Sequence, residues 1–90
     1  MIEKRFKITN EYGLHARPAT QLVQLVNEFT SNIKLTVAKT TVDFKSIMGV
    51  MSLGAYKGEI MDVVISGDDE EKAMNELSFM ISDIRLGKEI

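Results

Sequence analysis

The apolar residues of this chain recur at every second position in some segments and at every third or fourth in others, and each patterned segment is apolar along one side only. That one-sidedness constrains the fold most, because a strand or helix with a single apolar side must lay it against another element, which builds layers around one core. Ile2, Phe6 and Ile8 alternate with Glu3, Arg5 and Lys7 as a half-buried strand, with Lys4 the exception to the pattern. Ala19, Leu22, Val23, Val26 and Phe29 then form a helical stripe, with Gln21, Gln24 and Asn27 outward. Ile33, Leu35 and Val37 return to period two, as do Val42 and Phe44 after a turn near Ala38-Lys39-Thr40, which predicts a hairpin. A short helix follows Ser46 and ends at Gly54, and Met61, Val63 and Ile65 mark a fourth strand. The last stripe is Ala73, Leu77, Met80, Ile81 and Ile84; Asp68 with Glu71 reads as its capping box, Arg85 and Lys88 suit its C-terminus, and Gly87 its stop. The order is β-α-β-β-α-β-α, an α+β fold whose economical packing puts three helices on one face of a four-stranded antiparallel sheet.

Ninety residues, 44% of them hydrophobic, suffice for one modest core, so residues 1–90 read as a single domain. No cysteine is present, which suits a reducing cytoplasm, and a single His offers no zinc site; neither a metal nor a cofactor is expected. No run reaches the ~18 uncharged apolar positions of a membrane span, and no signal peptide is visible. A net charge of −2 without a Lys/Arg block argues against nucleic-acid binding and points to protein partners of a cytoplasmic monomer. There is no internal repeat and no linker.

Chemistry concentrates in Gly13-Leu14-His15-Ala16-Arg17-Pro18-Ala19-Thr20, where the only His, the only Pro and an Arg meet at a loop-to-helix junction. Helix N-termini carry unpaired N–H groups and the positive end of the macrodipole, so they suit anions. Pro is tolerated in the first turn. Propensity alone would place it first, with Arg17 as the cap; the alternative, adopted here, makes His15 the cap and leaves the Ala16 and Arg17 amides free beside the imidazole. A phosphoryl group on the ring would then meet two amides and the Arg17 guanidinium. Taken alone, a single His is more often a solvent-facing or satisfied residue, and the whole stretch is what singles this one out. Ser46 has a plain role as the cap of the short helix. Ile47, Met48, Val50, Met51 and Leu53 are too many apolar residues for that helix to bury on one side, so some form a docking surface or complete the core.

Gly13-Leu14-His15-Ala16-Arg17-Pro18-Ala19 together with Lys45-Ser46-Ile47-Met48-Gly49-Val50-Met51-Ser52-Leu53 resembles the HPr family, the histidine-containing phosphocarriers of the bacterial sugar phosphotransferase system, in order and spacing and over essentially the full length. The resemblance implies an open-faced β-sandwich with strand order 1-4-2-3. It implies that His15 accepts a phosphoryl group on Nδ1 from phospho-enzyme I and passes it to enzyme IIA of a sugar permease, with Arg17 stabilising the charge, the chain being a carrier rather than an enzyme. Partners would dock on Thr20, Ile47, Met48 and Met51. The segment from Lys45 to Gly49 matches the Gram-positive type, in which HPr kinase/phosphorylase modifies the matching Ser46 and the product acts as corepressor for catabolite control protein A. A mainly regulatory module is therefore the alternative, although the related catabolite repression HPr lacks the active His that is present here. A plain α/β ligand-binding domain has no supporting motif: an aromatic RNA-binding motif and a Gly-rich nucleotide loop are both missing. Three features depart from the family: Tyr12 where a smaller hydroxyl residue is common, Lys39 where the hairpin turn usually has Gly, and a tail lacking the frequent Glu-Gly-Leu ending.

Overall fold

The computed structural model describes all 90 residues. The elements are β1 (Ile2–Ile8), α1 (Ala16–Val26), β2 (Asn32–Val37), β3 (Thr40–Asp43), α2 (Ile47–Ser52), β4 (Ile60–Ser66), α3 (Glu70–Asp83) and β5 (Gly87–Glu89). The sheet is antiparallel with order β3-β2-β4-β1-β5, which contains the expected 1-4-2-3 arrangement and adds a fifth strand at the β1 edge. Residues 87–89 carry no apolar alternation and could not be read as a strand. Gly87 is what admits them: it sits opposite Ile8, and a Cβ there would run into the Lys7 carbonyl oxygen. Gly87 is thus part of the sheet, not the stop of α3.

Register explains which side chains make the core. Ile65 stands between Ile2 and Ile33, Val63 between Lys4 and Leu35, and Met61 opposite Phe6, so these rows face the helices. Lys4, the exception in the β1 pattern, lies in such a row and carries its ammonium out to Glu89 at 3.5 Å, its stem covering apolar surface. The helices close the core with Ala19, Leu22, Leu25 and Val26 from α1, Val50 from α2, and Ala73, Met74, Leu77 and Ile81 from α3. Burying each large side chain is worth ~1.5–3 kcal/mol. The α1 stripe differs by one residue from the expected one, with Leu25 buried and Val23 only partly so. The cause is tertiary: α1 touches both α2 and α3, which widens its covered side. Phe29 is buried as expected, but beyond the helix end.

The ends of α3 also differ from expectation. Asp69, not Asp68, is the N-cap residue, and its carboxylate is turned away from the helix, accepting from the Thr30 and Ser31 amides at 2.9 and 3.0 Å and from both hydroxyls. Glu70 instead accepts from the Gly67 amide at 3.0 Å. At the C-terminus the Arg85 amide donates to Ser82 and the Leu86 amide to Ile81, both at 3.0 Å, with Arg85 in the left-handed region at φ 58°. That is a Schellman motif, closed by the buried pair Ile81 and Leu86. Arg85 and Lys88 therefore lie past the helix rather than in its last turn. No helix is long and apolar enough to cross a membrane.

Candidate functional site

Three hydrogen bonds aim the segment before α1. The Tyr12 amide donates to Asn10 Oδ1 at 2.7 Å, the Gly13 amide to the Asn10 carbonyl at 3.0 Å, and the Leu14 amide to the Ala55 carbonyl at 3.0 Å. Gly13 adopts φ 66° against that same carbonyl, where any Cβ would collide, so only Gly lets the chain pass here. Leu14 is then buried and His15 emerges half-buried at the surface.

His15 is the N-cap of α1, with extended backbone (φ −84°, ψ −177°) and its carbonyl accepting the first helical bond from Ala19 at 3.1 Å. Pro18 is the third helical residue rather than the first. It has no N–H to offer, so the helix end presents two amides, those of Ala16 and Arg17, and neither has a partner within the chain. The imidazole makes no capping bond and is free to carry a substituent. Arg17 is exposed and takes part in no ion pair. These groups line an open cleft of about 600 Å³ with Asn10, Tyr12, Pro18, Gln21 and Ile84; Arg17 is its only formal charge, and no carboxylate enters it.

Ser46 caps α2, its Oγ accepting from the Gly49 amide at 3.1 Å. The Asn27 side chain donates to the Lys45 carbonyl at 3.1 Å and the Lys45 ammonium to the Phe29 carbonyl at 2.6 Å, which ties the start of α2 to the end of α1. The surplus of apolar residues on α2 divides between core and surface. Val50 is buried and Leu53 packs on the core, while Met48 is 81% exposed and Ile47 and Met51 are 39% and 40% exposed. Thr20 is exposed on α1, against which α2 packs. The sequence reading missed the role of Asp69, because an acidic residue beside a helix start reads as helix electrostatics until the Thr30-Ser31 loop is seen to lie across it.

A ring nitrogen that shares its cleft with two free amides and one guanidinium can take an anionic group and hold it. Fold and site together define a small α+β protein with an anion-receptive helix start. The family model for the PTS HPr component phosphorylation site matches residues 2–83. The chain is 46% identical over 78 residues to phosphocarrier protein HPr of Xylella fastidiosa (strain Temecula1), covering 87% of this chain and 88% of that one. Among solved structures it is similar to the histidine-containing phosphocarrier protein of a mycoplasma, with TM-score 0.93 and 30% identity over 96% of this chain and 98% of the other. An HPr from Thermoanaerobacter tengcongensis gives TM-score 0.87 and 42% identity, with 92% and 93% covered. The chain belongs to the HPr family, the phosphocarriers of the phosphotransferase system.

Proposed function

We propose that His15 is the residue on which this phosphocarrier holds its phosphoryl group, received from phospho-enzyme I and delivered to enzyme IIA of a sugar permease. The observation that carries this reading is the pair of unpartnered amides, Ala16 and Arg17, beside an imidazole at the N-cap of α1. A neutral imidazole is a nucleophile through the lone pair of its unprotonated ring nitrogen. Its lone pair, on Nδ1 by family resemblance, attacks phosphorus in line as the bond to the donor's leaving atom breaks. The two amides and Arg17 then receive the anionic oxygens. Delivery runs the same step in reverse with a new acceptor, and the partner enzymes supply the alignment. Thr20, Ile47, Met48 and Met51 form the face on which they dock, and the chain works as a single cytoplasmic monomer.

The test is direct. Incubated with enzyme I and phosphoenolpyruvate, the protein gains the mass of one phosphoryl group, acid-labile as a phosphoramidate is, and His15→Ala gains none; a gain retained by His15→Ala rejects the assignment.

A second role is favoured by the placement of Ser46. Its half-exposed hydroxyl caps α2 directly beside the exposed Ile47, Met48 and Met51, so a charge added there alters both helix and docking face. In this reading a Ser kinase of the HPr kinase/phosphorylase kind switches the carrier down and creates a ligand for a regulator such as catabolite control protein A.

A further inference from the structure

The chain's one pair of interacting aromatic rings lies in the candidate site. Tyr12 and His15 stand edge to face, with ring centroids 6.0 Å apart and planes at 80°. The Tyr12 ring contributes nothing to the core, being 76% exposed, and the residue's one hydrogen bond is made by its backbone amide. Its backbone is nevertheless held firmly by the Asn10 turn and by Gly13 beneath Ala55, so the ring is presented to the imidazole from a fixed base. A large exposed ring with a rigid backbone and a single aromatic neighbour is placed to act on that neighbour.

We propose that Tyr12 is a positioning residue: its ring, edge to face with the imidazole, restricts rotation of His15 so that a ring nitrogen stays aimed at the Ala16 and Arg17 amides. His15 itself makes no capping hydrogen bond that would fix the imidazole plane, and the Tyr12 ring stands against it. An edge-to-face pair of this kind biases a conformational equilibrium by ~2- to 10-fold, and the rate of an in-line transfer follows the aligned fraction. This inference rests on His15 being the phosphoryl acceptor.

The experiment compares the full-length protein with Tyr12→Phe and Tyr12→Ala. Steady-state phosphorylation by enzyme I and phosphoenolpyruvate should show kcat falling ~2- to 10-fold in Tyr12→Ala with KM little changed, while Tyr12→Phe, which keeps the ring, restores the rate. The imidazole proton resonances of His15 should shift in Tyr12→Ala, which removes the ring current, and stay near their original positions in Tyr12→Phe. Thermal midpoints should agree in all three. A rise in KM with unchanged kcat would make Tyr12 a docking residue and overturn the proposal; so would equal losses in both variants, which would assign the effect to the hydroxyl. If the unmodified protein takes no phosphoryl group, the carrier reading fails and this inference with it, whereas normal phosphorylation with an unaffected Tyr12→Ala overturns this inference alone.

Discussion

Arg17 and Asp69 are both polar groups at helix starts, yet they act in opposite directions. The Arg17 side chain is exposed and unpaired, so it adds little to the fold and is available to incoming charge. Arg17→Ala should leave the thermal midpoint in place while slowing phosphoryl transfer to and from His15 ~10²-fold, the usual loss for one electrostatic contact at a reacting centre; rapid-quench kinetics with enzyme I and enzyme IIA measures it. Asp69 is spent internally. The Ser31 hydroxyl, the Thr30 and Ser31 amides and the Thr30 hydroxyl all donate to its carboxylate and hold its pKa down at about 2. An acid with a depressed folded pKa contributes stability that is fully present above its unfolded value, about 3.9, and is lost as pH falls through the folded one. Glu70 is shifted the same way by hydrogen bonds to its carboxylate; Glu3 is shifted upward by hydrogen bonding to and repulsion from Asp62, and it opposes them. The acid limb of stability should therefore be shallower in Asp69→Asn than in the unmodified protein between pH ~5 and ~2, as denaturant midpoints would show.

At the level of elements, the β2–β3 hairpin carries an avoidable strain. Val37 pairs with Thr40, leaving a two-residue loop in which Ala38 and Lys39 both have positive φ, 51° and 70°, the signature of a type I′ turn. That turn matches the twist of the strands but asks two side-chain-bearing residues to be left-handed, where Gly and Asn are favoured. Lys39→Gly should raise stability by about 1 kcal/mol, and the thermal midpoint by ~4–8 °C for a domain of this size. Calorimetry checks it, with an unchanged or lower midpoint as the contrary result. The hairpin was legible from alternating apolar residues and its turn type was not, because strand twist, a property of the paired strands, selects type I′ over the sequence's own turn preferences. The α3 C-terminus repeats the lesson. Arg85 takes the left-handed position that Gly87 was expected to serve, because Gly87 is needed two residues later where β5 passes over Lys7.

Across the molecule, α1 and α2 pack together, and each begins at one of the two candidate phosphorylation positions. His15 begins one helix and Ser46 the other, with Thr20 on α1 and Ile47, Met48 and Met51 on α2 forming the exposed face. Phosphorylation of Ser46 adds a charge of about −1.5 to −2 at a helix N-terminus, where the dipole favours it. The thermal midpoint should hold or rise. The same charge borders the exposed apolar residues Ile47, Met48 and Met51, proposed above as the docking face, and should repel acidic partners such as enzyme I, so phosphorylation of His15 should slow. Ser46→Asp should change both quantities in the same sense by less, having less charge and fewer acceptor oxygens. Parallel measurement of midpoint and His15 phosphorylation rate decides the matter; a lower midpoint with an unchanged rate rejects both halves.

The sequence by itself determined the identities of the first four strands and three helices, because one-sided apolar periodicity is a local property that survives any arrangement of neighbours. It also brought the only His, the only Pro and an Arg together at residues 13–20, while the phosphocarrier reading of His15 came from resemblance to the HPr family rather than from spacing. Strand order came from resemblance rather than periodicity, which says that a strand has an inner face but not whose edge it joins. Only the tertiary structure decided the rest. β5 exists because a tail without apolar alternation finds a free edge on β1 and a glycine to approach it; Leu25 is buried because α3 covers the flank of α1; Asp69 leaves its own helix because Thr30 and Ser31 bring donors to it from 38 or 39 residues away. Each depends on groups distant in the chain, and no local pattern encodes which distant groups will meet.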